Sequence, residues 1–175
     1  MSLRFTKEQR AILINQFEIL KRLDNNNEKD YDHNIEVLFN GYSTFYKKIF
    51  GDIEDEFPEE ITRKVYDVLD MFRVLYSSYE QLTSEEKKEI DEKDVLFKGF
   101  DGNEETNHFV FASFILRKTE LYSDLQELIK QNKVEINSHR NIIYYYDELL
   151  ANWSKIRKET KGRLSLEQIK YVLDK

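Results

Sequence analysis

The chain has 175 residues, of which 35% are charged and 14% aromatic, and its formal net charge is −7 at pH 7. The absence of cysteine excludes disulfides, zinc–thiolate sites and thiol nucleophiles, and the negative charge opposes general binding to nucleic acid or to anionic membranes. The most apolar stretch, residues 109–116, is far shorter than the ~20 residues that span a bilayer, and the N-terminal residues contain no signal-peptide core. We therefore expect a folded cytoplasmic domain without a membrane segment.

Helix signals dominate the first half of the chain. The whole sequence contains one proline and five glycines, which leaves few helix breakers and predicts an all-α fold of about seven to nine helices. Thr6 to Gln9 form a capping box that opens the first helix, and Asp24 to Asn27 end it. A second helix spans about residues 28–40, with Gly41 just past its end. A short helix covers about residues 43–50.

The longest predicted helix begins near Pro58, a residue that the first turn of a helix accepts. Apolar residues then keep a 3.6-residue period to Leu82, which predicts the central packing element of the fold. A short helix is predicted to start near Ser84 and to end by Lys93. The central loop follows at residues 96–105. Its two glycines indicate a sharp turn of the backbone.

The second half of the chain is also helical. Asp101 or Asn103 is expected to cap a helix that continues through Leu116. Residues 123–129 predict a short helix, Ser138 predicts the start of a helix running to about Lys158, and the capping box at Ser165 opens the last one. We expect one domain with two closely packed lobes, residues 5–95 and 104–175, joined by residues 96–103.

The most specific chemical signal lies just after the central loop. Glu105 and His108 form a Glu-x-x-His pair on one helix face, which is how helical bundles present metal ligands. The pair predicts a metal-dependent hydrolase or oxidase as an alternative function, although such sites need further inward carboxylates. A ligand at a helix N-terminus could also be surrounded by three polar residues of the loop, Asp101, Asn103 and Glu105. In the competing interpretation, the loop only turns the chain and caps a helix.

Basic and aromatic residues are mixed near the C-terminus. Residues 151–175 contain seven Lys or Arg against three acids, and Trp153 and three consecutive tyrosines lie close by. Such mixtures can bind nucleic acid, which gives a second alternative. The tyrosines at 144–146 point about 100° apart on a helix, so they cannot form one stacking platform. A serine hydrolase built on Ser138 and His139 would need an orienting group and an oxyanion site, whereas Ser138 alone fits a helix cap.

Several short motifs, taken in order, resemble those of a known family. They are Asn15-Gln16, Leu23-Asp24, Gly41-Tyr42, Asp70-Met71, Phe97 with Gly99-Phe100-Asp101, Asn137-Ser138, Trp153 and Leu164-Ser165. Together they resemble the YfbU family over about residues 5–173. The resemblance implies a bacterial, cytoplasmic, multihelical domain that self-associates, and it implies no reaction, cofactor or catalytic residue.

These observations favour a non-enzymatic interaction module. Aromatic residues dominate protein interfaces, and their surplus on so polar a chain fits contact between subunits. We expect a homo-oligomer, in the simplest case a dimer, or a complex with another protein. We assign no cofactor and no catalytic residue.

Overall fold

The computed structural model describes residues 3–51, 53–158, 160 and 162–175, and this part of the chain is all-α, as expected. It contains eight α-helices and four short 3₁₀ turns. The α-helices are α1 (Lys7–Leu23), α2 (Glu28–Asn40), α3 (Tyr46–Phe50), α4 (Glu59–Glu80), α5 (Thr106–Lys118), α6 (Ser123–Lys130), α7 (Ile143–Ile156) and α8 (Leu166–Leu173). None of the helices in the described ranges is both long and apolar enough to cross a membrane.

The chain forms two compact units, Met1–Glu56 and Phe57–Lys175. Residues on both sides of the central loop share the core of unit two, and the division into two lobes at residues 96–103 stays a prediction. That core joins α4 to α5, α7 and α8, and its largest fully buried side chains include Phe72, Phe97, Phe100 and Tyr146. The central loop is therefore part of the interior of unit two.

Unit one is a small helical assembly. α1 packs along α2, and among the described residues of this unit the buried core side chains are Val37, Leu38 and Tyr46. Phe5, Phe17 and other half-buried apolar residues complete the core. None of the 17 residues of α1 is buried. This helix consequently covers α2 while leaving its own outer side in solvent.

Local capping chemistry explains several helix ends. Thr6 and Gln9 form a reciprocal capping box at the start of α1, and Ser165 with Gln168 does the same for α8. Gly41 ends α2 in the left-handed region at φ 71°. α4 starts directly after Pro58. These predictions are confirmed, and the helix expected at residues 123–129 is observed as α6.

The predicted start of α7 is wrong. Ser138 does not cap this helix, which begins five residues later at Ile143. The Ser138 hydroxyl instead donates to the carbonyl oxygen of Arg140 at 2.6 Å, and His139 takes a left-handed backbone conformation at φ 54°. The chain therefore makes an irregular turn here, and the groups that cap α7 come from elsewhere in unit two.

Candidate functional site

The central loop is held by a second irregular segment, residues 134–142. The Phe100 amide donates to the Ile136 carbonyl oxygen at 2.9 Å, and the Ser138 amide donates to the Phe100 carbonyl oxygen at 3.1 Å. These two bonds form a parallel bridge between Phe100 and Asn137. Because buried backbone groups need partners, the pairing allows a loop to run through the core.

Gly99 is required where the two segments meet. Its φ is 80°, and a β-carbon added there would lie 2.5 Å from the carbonyl oxygen of Ile136. Both the backbone conformation and the lack of space exclude a side chain. Gly102 differs, since its nearest neighbour would be the Asn137 side-chain nitrogen at 3.2 Å and its φ lies outside the left-handed region.

Tyr146 anchors the loop from α7. Its hydroxyl donates to the Gly99 carbonyl oxygen at 2.8 Å and accepts from the Lys98 amide at 3.2 Å. The ring is fully buried and makes edge contacts with Phe72 and Phe100. Burial raises the pKa of Tyr146 well above its usual value, so the phenol keeps the proton that the Gly99 bond uses.

Short polar side chains close the turn after Phe100. The Asp101 Oδ1 accepts from the amides of Asn103 and Glu104, at 2.7 and 3.3 Å. The Asn137 Oδ1 accepts from the amides of Gly102 and His139. Asp101 thus caps the turn that leads into α5. Asn103 is exposed, and its backbone amide donates to the Asp101 side chain.

The Glu105 carboxylate joins three parts of unit two. Glu105 is only 3% exposed. One carboxylate oxygen accepts from the Asp101 amide at 2.8 Å, and the other accepts from the amides of Ile142 and Ile143 at 2.6 and 2.7 Å. The last two amides lie at the N-terminus of α7, where a negative charge is favourable. Glu105 is therefore the cap of α7, 37 and 38 residues away in sequence.

His108 lies one helical turn after Glu105. Its ring contacts the Phe100 ring, with 5.5 Å between centroids. Burial lowers the pKa of His108, and the positive charge of Lys64 lowers it further. Within the described ranges, no three side chains of the metal-ligating types are grouped to hold an ion. That Glu105 and His108 bind a metal stays a prediction; both Glu105 oxygens already accept backbone hydrogen bonds.

Of the three consecutive tyrosines, Tyr146 is the one that is hydrogen-bonded to this loop. Tyr144 is exposed, Tyr145 half-buried and Tyr146 buried. Some of the basic residues near the C-terminus have carboxylate partners: Arg157 lies 3.3 Å from Asp67 and Lys170 2.6 Å from Glu89. This pairing reduces the positive potential available to a nucleic acid. Glu159 and Lys161, which also belong to this stretch, are outside the described residues.

Sequence reasoning missed how Tyr146 and Asn137 act. The three tyrosines carry no local signal that distinguishes the one whose hydroxyl reaches the loop. Asn137 stood out only as part of the family resemblance. The sequence singled out Asp101, Asn103 and Glu105 as candidates, and that they bind a ligand stays a prediction. The amides of Ile142 and Ile143 could not be inferred as partners of Glu105, because they lie at the start of a different helix.

Comparison with known proteins matches this chain to one family over nearly its whole length. The family model described as the YfbU domain matches residues 3–175. A curated relative, the UPF0304 protein MJECS11 of Methanocaldococcus jannaschii, is 35% identical over 170 residues, which cover 97% of this chain and 98% of the relative.

Proposed function

The chain belongs to the YfbU family, and we propose that it is a self-association module that forms a symmetric homodimer through α1. The observation that supports this is the exposed apolar side of the helix. Ile12, Ile19 and Leu23 are 59%, 57% and 78% exposed. Their spacing of seven and four residues places them on one line along α1. We call these three residues the α1 stripe.

The α1 stripe is distinct from the face that holds unit one together. Leu13 and Phe17 pack against the small core of the unit, whereas the stripe lies on the other side of the helix. An amphipathic surface helix normally exposes polar residues on that side. A second copy of the same helix would bury the stripe, and isologous contact of this kind is the commonest form of oligomer.

The charges on α1 favour an antiparallel pair. Glu8 lies in its first turn and Arg22 in its last, and both are exposed. An antiparallel arrangement brings Glu8 close to the partner's Arg22 twice across the two-fold axis. The exposed amides of Asn15 and Gln16 then lie near the axis, where polar side chains can fix the register of paired helices.

The expected affinity is modest. Complete burial of an Ile or Leu side chain contributes about 1.5–3 kcal/mol, so the exposed fractions of six stripe residues contribute roughly 5–12 kcal/mol. Association itself costs about 4–15 kcal/mol. The difference between the two ranges is at most about 8 kcal/mol, which corresponds to a dissociation constant on the order of micromolar. We therefore expect a concentration-dependent dimer that forms at micromolar concentration or above.

Sedimentation equilibrium over a range of concentrations tests the proposal. Wild-type protein should show a monomer–dimer equilibrium, and Ile19→Glu should shift it to monomer because a carboxylate would be buried in the interface. Val110→Glu is the matched control, since Val110 is a 50% exposed β-branched residue in the middle of a helix of unit two. It should leave the equilibrium unchanged.

Two results would contradict the proposal. One is a wild-type protein that stays monomeric at high micromolar concentration; the other is dissociation by Val110→Glu but not by Ile19→Glu. Charge reversal tests the geometry separately. Glu8→Arg should weaken the dimer and the added Arg22→Glu should restore it, whereas a parallel pair predicts no restoration.

A further inference from the structure

A cavity of about 400 Å³ opens on unit two beside the central loop. This size is within the range of small-molecule sites in proteins. The lining residues are Asp94, Lys98, Arg140, Asn141, Ile142 and Tyr145. The cavity thus lies where residue 98 of the loop meets the turn before α7, and the hydrogen bonds of Glu105 and Tyr146 fix both walls.

Positive charge is concentrated at this cavity. Lys98 is half-buried, and its Nζ donates to the Lys93 carbonyl oxygen at 2.7 Å while lying 3.8 Å from the Asp94 carboxylate. Burial lowers the pKa of Lys98; the charge of Asp94 opposes this, whereas those of Arg140 and Lys175 add to it. An anion placed here would relieve the repulsion among these cations.

The local acid does not cancel this charge. Asp94 also forms an ion pair with Lys175, and that pair is neutral as a unit. Asp91 acts on Lys98 as a second nearby acid, so Lys98, Arg140 and Lys175 together with Asp91 and Asp94 carry a net charge of +1. A net positive charge in a partly buried site favours an anion.

Hydrogen-bond donors around the cavity are also available. Among the residues that the structure describes, none accepts a hydrogen bond from the side chains of Arg140, Asn141 or Tyr145. Burial raises the pKa of Tyr145, and the charge of Asp94 raises it further, so its hydroxyl remains a donor at neutral pH. Arginine in particular presents paired donors that match the oxygens of a phosphate group.

We propose that this cavity binds the phosphate group of a small phosphorylated molecule, with Lys98 and Arg140 supplying charge and Asn141 and Tyr145 supplying further donors. The walls are preorganised, because the loop and the α7 N-terminus are already held by buried hydrogen bonds. The site is separate from the α1 stripe and does not depend on self-association.

A nuclear magnetic resonance titration of the full chain with inorganic phosphate at constant ionic strength tests this site. Saturable shifts are expected at the amides of Lys98 and residues 140–145. Arg140→Gln should weaken binding about tenfold, the loss expected for one charge-assisted contact. Arg117→Gln removes an equal charge from an exposed position on α5 and should leave binding unchanged.

Three outcomes would overturn the proposal. They are the absence of a saturable shift with phosphate, equal loss of binding in Arg117→Gln and Arg140→Gln, and equally tight binding of acetate. The last result would assign the cavity to carboxylates instead. Arg140 is exposed, so its substitution should not unfold the chain, and the spectrum of the variant verifies this directly.

Discussion

Replacing Glu105 should strongly destabilise unit two, because among the residues that the structure describes its carboxylate is the one partner of three buried or half-buried amides. A hydrogen bond to a charged group contributes about 1.5–3 kcal/mol, and an unsatisfied buried amide costs about 1–3 kcal/mol. These terms are not additive, so we expect Glu105→Ala to lower the free energy of unfolding by roughly 3–6 kcal/mol. That is a large part of the stability of an ordinary domain.

Glu105→Gln should be intermediate for a geometrical reason. The amide oxygen of glutamine can still accept from Ile142 and Ile143. Its NH₂ group would then face the Asp101 amide, which is also a donor. We expect a loss of about 2–4 kcal/mol, with the order wild type, Gln, Ala in decreasing stability.

Trp153 provides the assay. It is the only tryptophan in the chain and is buried in α7, so its fluorescence during urea unfolding reports on unit two. Glu104→Gln is the matched control, because Glu104 is the exposed neighbour and should change stability by less than about 0.5 kcal/mol. Hydrogen exchange at the Ile142 and Ile143 amides should accelerate in Glu105→Ala. If Glu105→Ala matched Glu104→Gln, the capping role would be refuted.

Three further changes test the rest of the loop. Gly99→Ala should lower the free energy of unfolding by more than about 3 kcal/mol, because a side chain at this position combines a left-handed φ with a backbone clash. Gly102→Ala should lower it by less than about 1 kcal/mol. Equal effects of the two substitutions in urea unfolding would contradict the geometry. Tyr146→Phe should cost about 1–3 kcal/mol by leaving the Gly99 carbonyl without its donor, while the same change at exposed Tyr144 should be neutral. His108 has a lowered pKa in the folded state, so the unfolded state binds its proton first and stability should decrease as the pH falls below about 6.5. His108→Gln should reduce the difference between urea midpoints measured at about pH 8 and about pH 5, and an unchanged difference would assign the pH dependence to other groups.

The sequence predicts helix ends well where the capping group is local. The box at Thr6, the glycine at 41 and the box at Ser165 all act within four residues, and all three predictions are confirmed. The start of α7 fails because its cap is Glu105, which is distant in sequence. A nearby serine then offered a plausible but wrong local signal. Pattern reasoning has no access to a cap that tertiary structure supplies.

The central loop shows the same limit. Two glycines close together predicted a sharp turn of the backbone, and the structure has a turn there. Its burial was not expected, because a loop in the interior requires partners for every backbone group. Those partners come from residues 134–142 and from Tyr146, whose positions follow from the packing of α7 against α4.

The residues that carry the family resemblance therefore divide into two kinds. The structure explains why Gly99, Phe100 and Asp101 occupy their positions, since each satisfies a conformational or hydrogen-bonding requirement of the buried loop. Gln16 and Leu23 on α1 have no such reason within unit one, because both are exposed and neither belongs to its core. A contact with a second copy would give these two residues a role, and Leu23→Glu should accordingly dissociate the proposed dimer, as we expect of Ile19→Glu. If Leu23→Glu left the dimer intact while Ile19→Glu abolished it, the interface would have to end before the last turn of α1, and the antiparallel register would be wrong.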